Sequence, residues 1–223
     1  MNVILFGASG MVGQGVLREC VRDPRVERVL CVVRGPLGIL SPKVETLVQS
    51  DFHEWGAVED RFAGYDTCFF PLAVSALGMS EGAYRETTFD LTRGVAEALA
   101  RVGSLWTFVY VSGEGTNANG RQMWARVKGE TEEMLLAMPF AEVFCFRPGY
   151  IQPLDGVRSK TGWYNAMYDV LRWVYPVLRR LAPGHVTTTS EVGRAMIAVA
   201  ETGFRVRVLG NREIREAAGM AGG

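Results

Sequence analysis

Lysine, histidine and cysteine are all scarce in this chain. Its 223 residues hold three lysines, Lys43, Lys128 and Lys160, and every other basic side chain apart from the two histidines is arginine. The histidines are His53 and His185, and the formal net charge is zero. No apolar run reaches the ~18 residues that a membrane-spanning helix needs. Balanced charge supplies no basic field for nucleic acid or an anionic membrane surface. The four cysteines, Cys20, Cys31, Cys68 and Cys145, show no CxxC spacing, and three of them lie in apolar runs. They read as reduced core residues rather than a disulfide framework or a zinc site. Neither histidine has metal-ligand spacing around it, so both are expected at the surface or in ordinary hydrogen bonds. The apolar start MNVILF lacks a positive leader and runs straight into glycines, so the expectation is a cytoplasmic protein without a signal peptide.

Short apolar runs alternate with helical patterns. Strands are expected at 3–6, 28–33, 44–50, 67–72, 105–112 and 143–147. Helices are expected at 12–22, 54–63, 80–101 and 121–137, the third lined by Tyr84, Phe89, Leu91, Val95 and Leu99. Apolar strands separated by helices predict a parallel sheet covered on both faces, hence a doubly wound α/β (Rossmann) fold. Residues 1–150 form the expected dinucleotide-binding core, and residues 151–223 a small C-terminal part that completes one compact domain. In that part, residues 163–181 are apolar on most sides. Three roles stay open for them: a wall over the substrate pocket, which is the expectation, a homodimer surface, or a face resting on a membrane. A helix is expected near 190–202, capped by Thr189 or Ser190, then a short strand in FRVRVL and a frayed tail, AAGMAGG.

Strand 3–6 feeds directly into GASGMVGQG. Gly7 suits the tight turn off a strand, Gly10 lets the backbone approach a pyrophosphate, and Gly13 lets the helix pack close. The helix N-terminus then presents free N–H groups and partial positive charge to phosphates. The strand–loop–helix context is what makes this glycine pattern specific. A Walker loop is excluded, because Val16 and Leu17 follow Gly15 where Lys and Ser or Thr would stand. At the end of the second strand no acid is present to accept ribose hydroxyls; Val33 and Arg34 stand there. A guanidinium suits a 2′-phosphate, so NADP(H) is favoured over NAD(H).

Six stretches taken in order carry a resemblance to a family: GASGMVG; Ser50, Asp51 and Phe52 after the third strand; Leu72, Ala73 and Val74 after the fourth; VYVSGEG closing the fifth; WARVKGE; and RPGYIQP. Together they resemble the extended and atypical short-chain dehydrogenase/reductase superfamily, in its epimerase/dehydratase-like group. Among its members the chain is similar to small bacterial proteins akin to the Tat-interacting oxidoreductase-like proteins. The resemblance implies cofactor contacts from Gly7, Ala8, Ser9, Gly10, Met11, Val12, Gly13, Asp51, Phe52, Leu72, Ala73, Val74, Val111, Ser112, Lys128, Pro148, Gly149 and Tyr150, beside Arg34. It implies an oxidoreductase or epimerase acting on a small carbonyl or alcohol substrate, with a catalytic Ser, Tyr and Lys. Lys128 fills the lysine position. The tyrosine position, four residues earlier, holds Trp124, whose indole N–H cannot serve as an acid or base near neutral pH. Ser112 takes the nearer serine position, and Glu114 the position two residues on. If catalysis survives, the proton must come from elsewhere: Tyr150 is the first candidate by chain position, then Glu114, with Tyr164 and Tyr168 behind them. The alternative is a protein that binds NADP(H) without catalysis, as a redox sensor or regulator.

Overall fold

The computed structural model describes residues 1–38, 41–103, 107–154 and 185–220. Nine strands run through them: β1 (Asn2–Phe6), β2 (Arg28–Val33), β3 (Val44–Val48), β4 (Thr67–Phe70), β5 (Thr107–Val111), β6 (Glu142–Arg147), β7 (Tyr150–Gln152), β8 (Val186–Thr188) and β9 (Val208–Gly210). Seven of them form one sheet in the order β3-β2-β1-β4-β5-β6-β9, and every pairing in it is parallel. The chain moves outward from β1 to β3, then returns to the other side of β1 at β4. That reversal opens a crevice beyond the strand ends, the place where doubly wound folds bind ligands. A separate parallel pair, β7 with β8, sits beside the sheet; the apolar pattern did not predict it, because three-residue strands leave almost no periodic signal.

The interiors of β1, β2, β4, β5 and β6 are apolar because both faces of the sheet are covered there, whereas the edge strand β3 carries Glu45 and Thr46 and is mostly exposed. On β1, Val3 and Leu5 join a core with α1 (Met11–Arg22) and α5 (Thr189–Thr202), while Ile4 and Phe6 join one with α3 (Leu91–Val102) and α4 (Met123–Leu136). Alternation of side chains along a strand sends neighbours to opposite faces, so two cores require two apolar sets. All four cysteines are buried and free.

Several elements differ from expectation. The helix expected over 80–101 is interrupted: α2 (Glu81–Arg85) passes through a π turn, Glu86–Asp90, before α3 begins. The extra residue in that turn rotates the frame, so Thr88 is buried while Phe89 lies partly exposed, with the Arg85 guanidinium 4.4 Å from its ring centre. The helix expected over 54–63 shrinks to one 3₁₀ turn, Glu59–Phe62. Trp55 packs edge-on against Phe6, 5.7 Å between ring centres, and this aromatic contact holds the segment without a helix. Helix α5 is capped by Thr188 rather than Thr189 or Ser190: its hydroxyl accepts from Glu191 N, and the Glu191 carboxylate accepts from Thr188 N. The tail is not frayed through Met220. Residues Asn211–Met220 form α6, because Ile214, Ala217 and Ala218 are buried in the same core as α5. The apolar stretch 163–181, with Tyr164 and Tyr168, lies outside the described residues.

Candidate active site

The glycine loop follows β1. Gly7 has φ +77°, and a side chain there would also meet the Leu72 backbone at 2.9 Å, so both conformation and space call for glycine. A Cβ on Gly13 would sit 2.0 Å from the Gly7 carbonyl oxygen. The first turn of α1 therefore lies directly on the loop that precedes it. Gly10 caps α1 with no side-chain hydrogen bond, and no acid occupies the first turn. The N–H groups and positive end of the helix are thus left to an anion. Ala8 is buried at the loop's centre, whereas Ser9, Met11 and Val12 are partly exposed and Gly10 is open.

Val12 is also one wall of a cleft of about 490 Å³ across the carboxyl ends of β4, β5 and β6. Pro71 and Ala73 supply the side from β4, Val111, Ser112 and Glu114 the floor from β5, and Pro148, Gly149 and Tyr150 the side from β6. The structure thus brings the glycine helix, the β5 end and the Pro-Gly-Tyr turn around one space. Leu72 and Val74 belong to the same β4 loop, Leu72 against Gly7 and Val74 exposed. Arg34 is exposed just beyond β2. Asp51 is exposed and accepts from His53 N at 2.8 Å, while Phe52 is buried with its ring 6.3 Å from that of Phe6. The side chain of Phe52 is therefore a core group.

Lys128 is almost fully buried, and its Nζ donates to the Ser112 carbonyl oxygen at 2.5 Å. Burial pushes its pKa down to about 8, a shift that the negative field of Glu132 partly offsets. Glu132 stands one turn further along α4. It accepts from the Ser112 hydroxyl and, through both oxygens, from Arg147 Nε at 3.1 Å each. This contact with Glu132 holds the Arg147 guanidinium above its ordinary range. The Ser112 hydroxyl also donates to the Phe146 carbonyl oxygen at 3.1 Å. Sequence reasoning missed Glu132 and Arg147. The signal was available: Glu132 lies at i+4 from Lys128, on the same side of the helix, and Arg147 opens the Arg-Pro-Gly turn. The network turns the Ser112 hydroxyl toward β6 and α4.

Trp124 stands at the start of α4, where a large aromatic side chain can fill the core or wall a pocket. It is partly exposed, and with Met123, Lys128, Tyr84 and residues 75–78 it lines a second cavity of about 510 Å³. Its ring edge rests on Gly115, where an added Cβ would approach to 3.3 Å. It is a pocket wall. Tyr84, expected only as a core residue of its helix, shares that wall from a buried position. Tyr150 lies in the first cleft, and its hydroxyl donates to Gln152 Oε1 at 2.9 Å. Glu114 is not alone: His185 Nδ1 lies 2.7 Å from its Oε1. His185 was expected at the surface or in an ordinary hydrogen bond, and it is both: exposed, and bonded to Glu114, which lines the cleft.

No family model matches the chain. Among curated proteins, the chain is 28% identical over 219 residues to the protein FMP52, mitochondrial, of Eremothecium gossypii, covering 96% of each. It is 29% identical over 164 residues to that of Saccharomyces cerevisiae, covering 72% of this chain and 69% of the yeast protein. Among solved structures, MoeE5 in complex with UDP-glucuronic acid and NAD has a TM-score of 0.67 at 18% identity, covering 93% of this chain and 75% of that one. The dTDP-glucose 4,6-dehydratase DesIV of Streptomyces venezuelae, with NAD bound, has a TM-score of 0.66 at 14% identity, covering 98% and 80%. The fold is a Rossmann fold of the kind found in NAD-binding epimerases and dehydratases. The sequence relatives are fungal and named FMP52, rather than bacterial or named for a Tat-interacting oxidoreductase. Their names also overturn the expectation of a cytoplasmic protein, since each is called mitochondrial. An apolar first strand running into glycines reports on the fold and carries no information about compartment. Among the described residues no helix is long and apolar enough to cross a membrane, and no cluster of His, Cys, Asp or Glu has the geometry to hold a metal ion.

Proposed function

We propose that the protein is an NADP(H)-dependent oxidoreductase or epimerase-like enzyme acting on a small carbonyl or alcohol substrate. The observation that carries this reading is the convergence of three parts of the chain, the open α1 N-terminus, the β5 end and the Pro148-Gly149-Tyr150 turn, on one cleft of about 490 Å³. The pyrophosphate would lie on Gly10, Met11 and Val12 at the α1 N-terminus, where partial positive charge and free N–H groups meet it. Arg34, exposed beyond β2, would take the 2′-phosphate. Lys128 would hold the nicotinamide ribose, with Val111 and Ser112 beside it; its anchor on the Ser112 carbonyl fixes the ammonium next to the cleft floor. The nicotinamide, when bound, supplies hydride chemistry. The chain's own part is to orient it and deliver a proton, with Tyr150 and Glu114 as the candidates that line the cleft.

The replacement of the family's tyrosine by Trp124, and the commitment of the Ser112 hydroxyl to Glu132, favour a second reading: an NADP(H)-binding sensor without turnover. One experiment separates the two. Purified protein is mixed with NADPH and a panel of small aldehydes and ketones, and NADPH oxidation is followed at 340 nm. The enzyme reading expects turnover that is lost in Lys128→Ala. Tight binding with no oxidation across the panel leaves the sensor. For Arg34, NADPH is expected to bind more tightly than NADH, and Arg34→Ala to erase the difference; equal affinities in the unmodified protein contradict the assignment.

A further inference from the structure

Chemistry at this cleft needs a proton, and the residues nearest by chain position are poorly set to supply it. The Ser112 hydroxyl is held by Glu132 and the Phe146 carbonyl. The Tyr150 hydroxyl points its proton along its own strand to Gln152, which is buried. Trp124 carries only an indole. Among the described residues, one acid–base pair remains at the cleft. Glu114 lines it, and the imidazole of His185 meets that carboxylate through Nδ1 at 2.7 Å.

The pair is built into the fold by close packing around Gly149. A Cβ there would lie 2.4 Å from Glu114 Oε2, 2.6 Å from the His185 carbonyl oxygen and 2.9 Å from Asn211 Nδ2. Asn211 Oδ1 in turn accepts from Gly149 N at 3.1 Å, and Glu114 N donates to the Pro148 carbonyl oxygen at 2.8 Å. The β5 end, the β6 turn, the residue before β8 and the start of α6 are thereby locked together beside the cleft. A carboxylate that accepts from Nδ1–H fixes the imidazole tautomer, leaving Nε2 as the working nitrogen. Nε2 has no partner among the described residues. Both side chains are also substantially open to solvent, 67% for His185 and 49% for Glu114, so a spent proton is replaced directly from water.

We propose that Glu114 and His185 form the proton-delivering pair of this site, with His185 as general acid and Glu114 as its positioning residue. The proposal rests on the oxidoreductase reading above. In the reducing direction, the His185 imidazolium would give its Nε2 proton to the substrate carbonyl oxygen, keeping Nδ1–H on Glu114, while a bound reduced nicotinamide would supply hydride to the carbonyl carbon. The C=O π bond breaks, and new C–H and O–H bonds form. The carbonyl is reduced to an alcohol, the nicotinamide is oxidised, and the neutral imidazole regains a proton from solvent.

Two measurements test it. The first needs no cofactor: long-range ¹H–¹⁵N spectra of the protein, which has only two histidines, report the ring tautomer of His185. The Nδ1–H form is expected, moving toward Nε2–H in Glu114→Ala. An Nε2–H tautomer that Glu114→Ala leaves unchanged overturns the pairing. The second measures NADPH affinity and NADPH-dependent reduction of the aldehyde and ketone panel, 4-nitrobenzaldehyde included. His185→Gln is expected to bind NADPH within about twofold of the unmodified protein and to lose about 100-fold or more in kcat, the usual worth of a general acid. Glu114→Ala is expected to lose less. Unchanged kcat in His185→Gln overturns the pair while leaving the oxidoreductase reading intact. NADPH binding without turnover in the unmodified protein overturns both.

Discussion

Lys128 carries most of the tension at the residue scale. A buried ammonium on a chain with few lysines is held by one carbonyl oxygen and the field of Glu132. Its folded pKa, about 8, lies below the ordinary value of 10.5. Between those values the unfolded chain keeps a proton that the folded chain has released, so unfolding takes up a proton and becomes harder as pH rises. The stability difference between the unmodified protein and Lys128→Met should therefore shift in favour of the unmodified protein from about pH 8 to pH 10.5. The shift should approach about 3 kcal/mol, read from urea unfolding at each pH. A pH-independent difference contradicts the burial argument. Glu132→Gln removes the field that favours the ammonium, so the Lys128 pKa should fall further, visible in the ¹³Cε shift of that lysine. The same change leaves Arg147 without its charged partner and should destabilise the fold by about 3 kcal/mol, the lower end for breaking a buried pair, because Arg147 is one-third exposed.

Elements show which local signals sequence reasoning can use. β1, β2 and β6 were legible almost to the residue, because strands buried on both faces are apolar without interruption. Helix α1 was legible from its glycines, and the structure gives Gly13 a definite cause in the Gly7 carbonyl. Gly13→Ala should destabilise by about 1–3 kcal/mol through overpacking and weaken NADPH binding, read by thermal unfolding and titration calorimetry; an unchanged Tm contradicts the contact. The π turn at Glu86–Asp90 was not legible, since its extra residue breaks the 3.6-residue period on which the reading relied. α6 was hidden by its composition: glycine and alanine read as a frayed end, yet small side chains are what allow Ala217 and Ala218 to pack inside the core.

For the molecule as a whole, the candidate site is assembled from places far apart in sequence. The proposed cofactor contacts, from Gly7 to Val12 and from Val111 to Ser112, rest on motifs that each follow a strand in a fixed order. On the proposed proton side, Glu114 was a candidate from its place after β5, whereas His185 was not. Glu114 and His185 are separated by 71 positions and carry no shared motif; only the lock around Gly149 brings them together. Everything proposed for the chemistry depends on a dinucleotide lying across the ends of β1, β4, β5 and β6. Titration calorimetry of NADPH into the unmodified protein and into Gly7→Val tests that most directly. The expected result is one NADPH per chain in the unmodified protein and none in Gly7→Val that still folds by circular dichroism. Absence of NADPH and NADH binding to the unmodified protein, or equal binding by a folded Gly7→Val, would contradict the account.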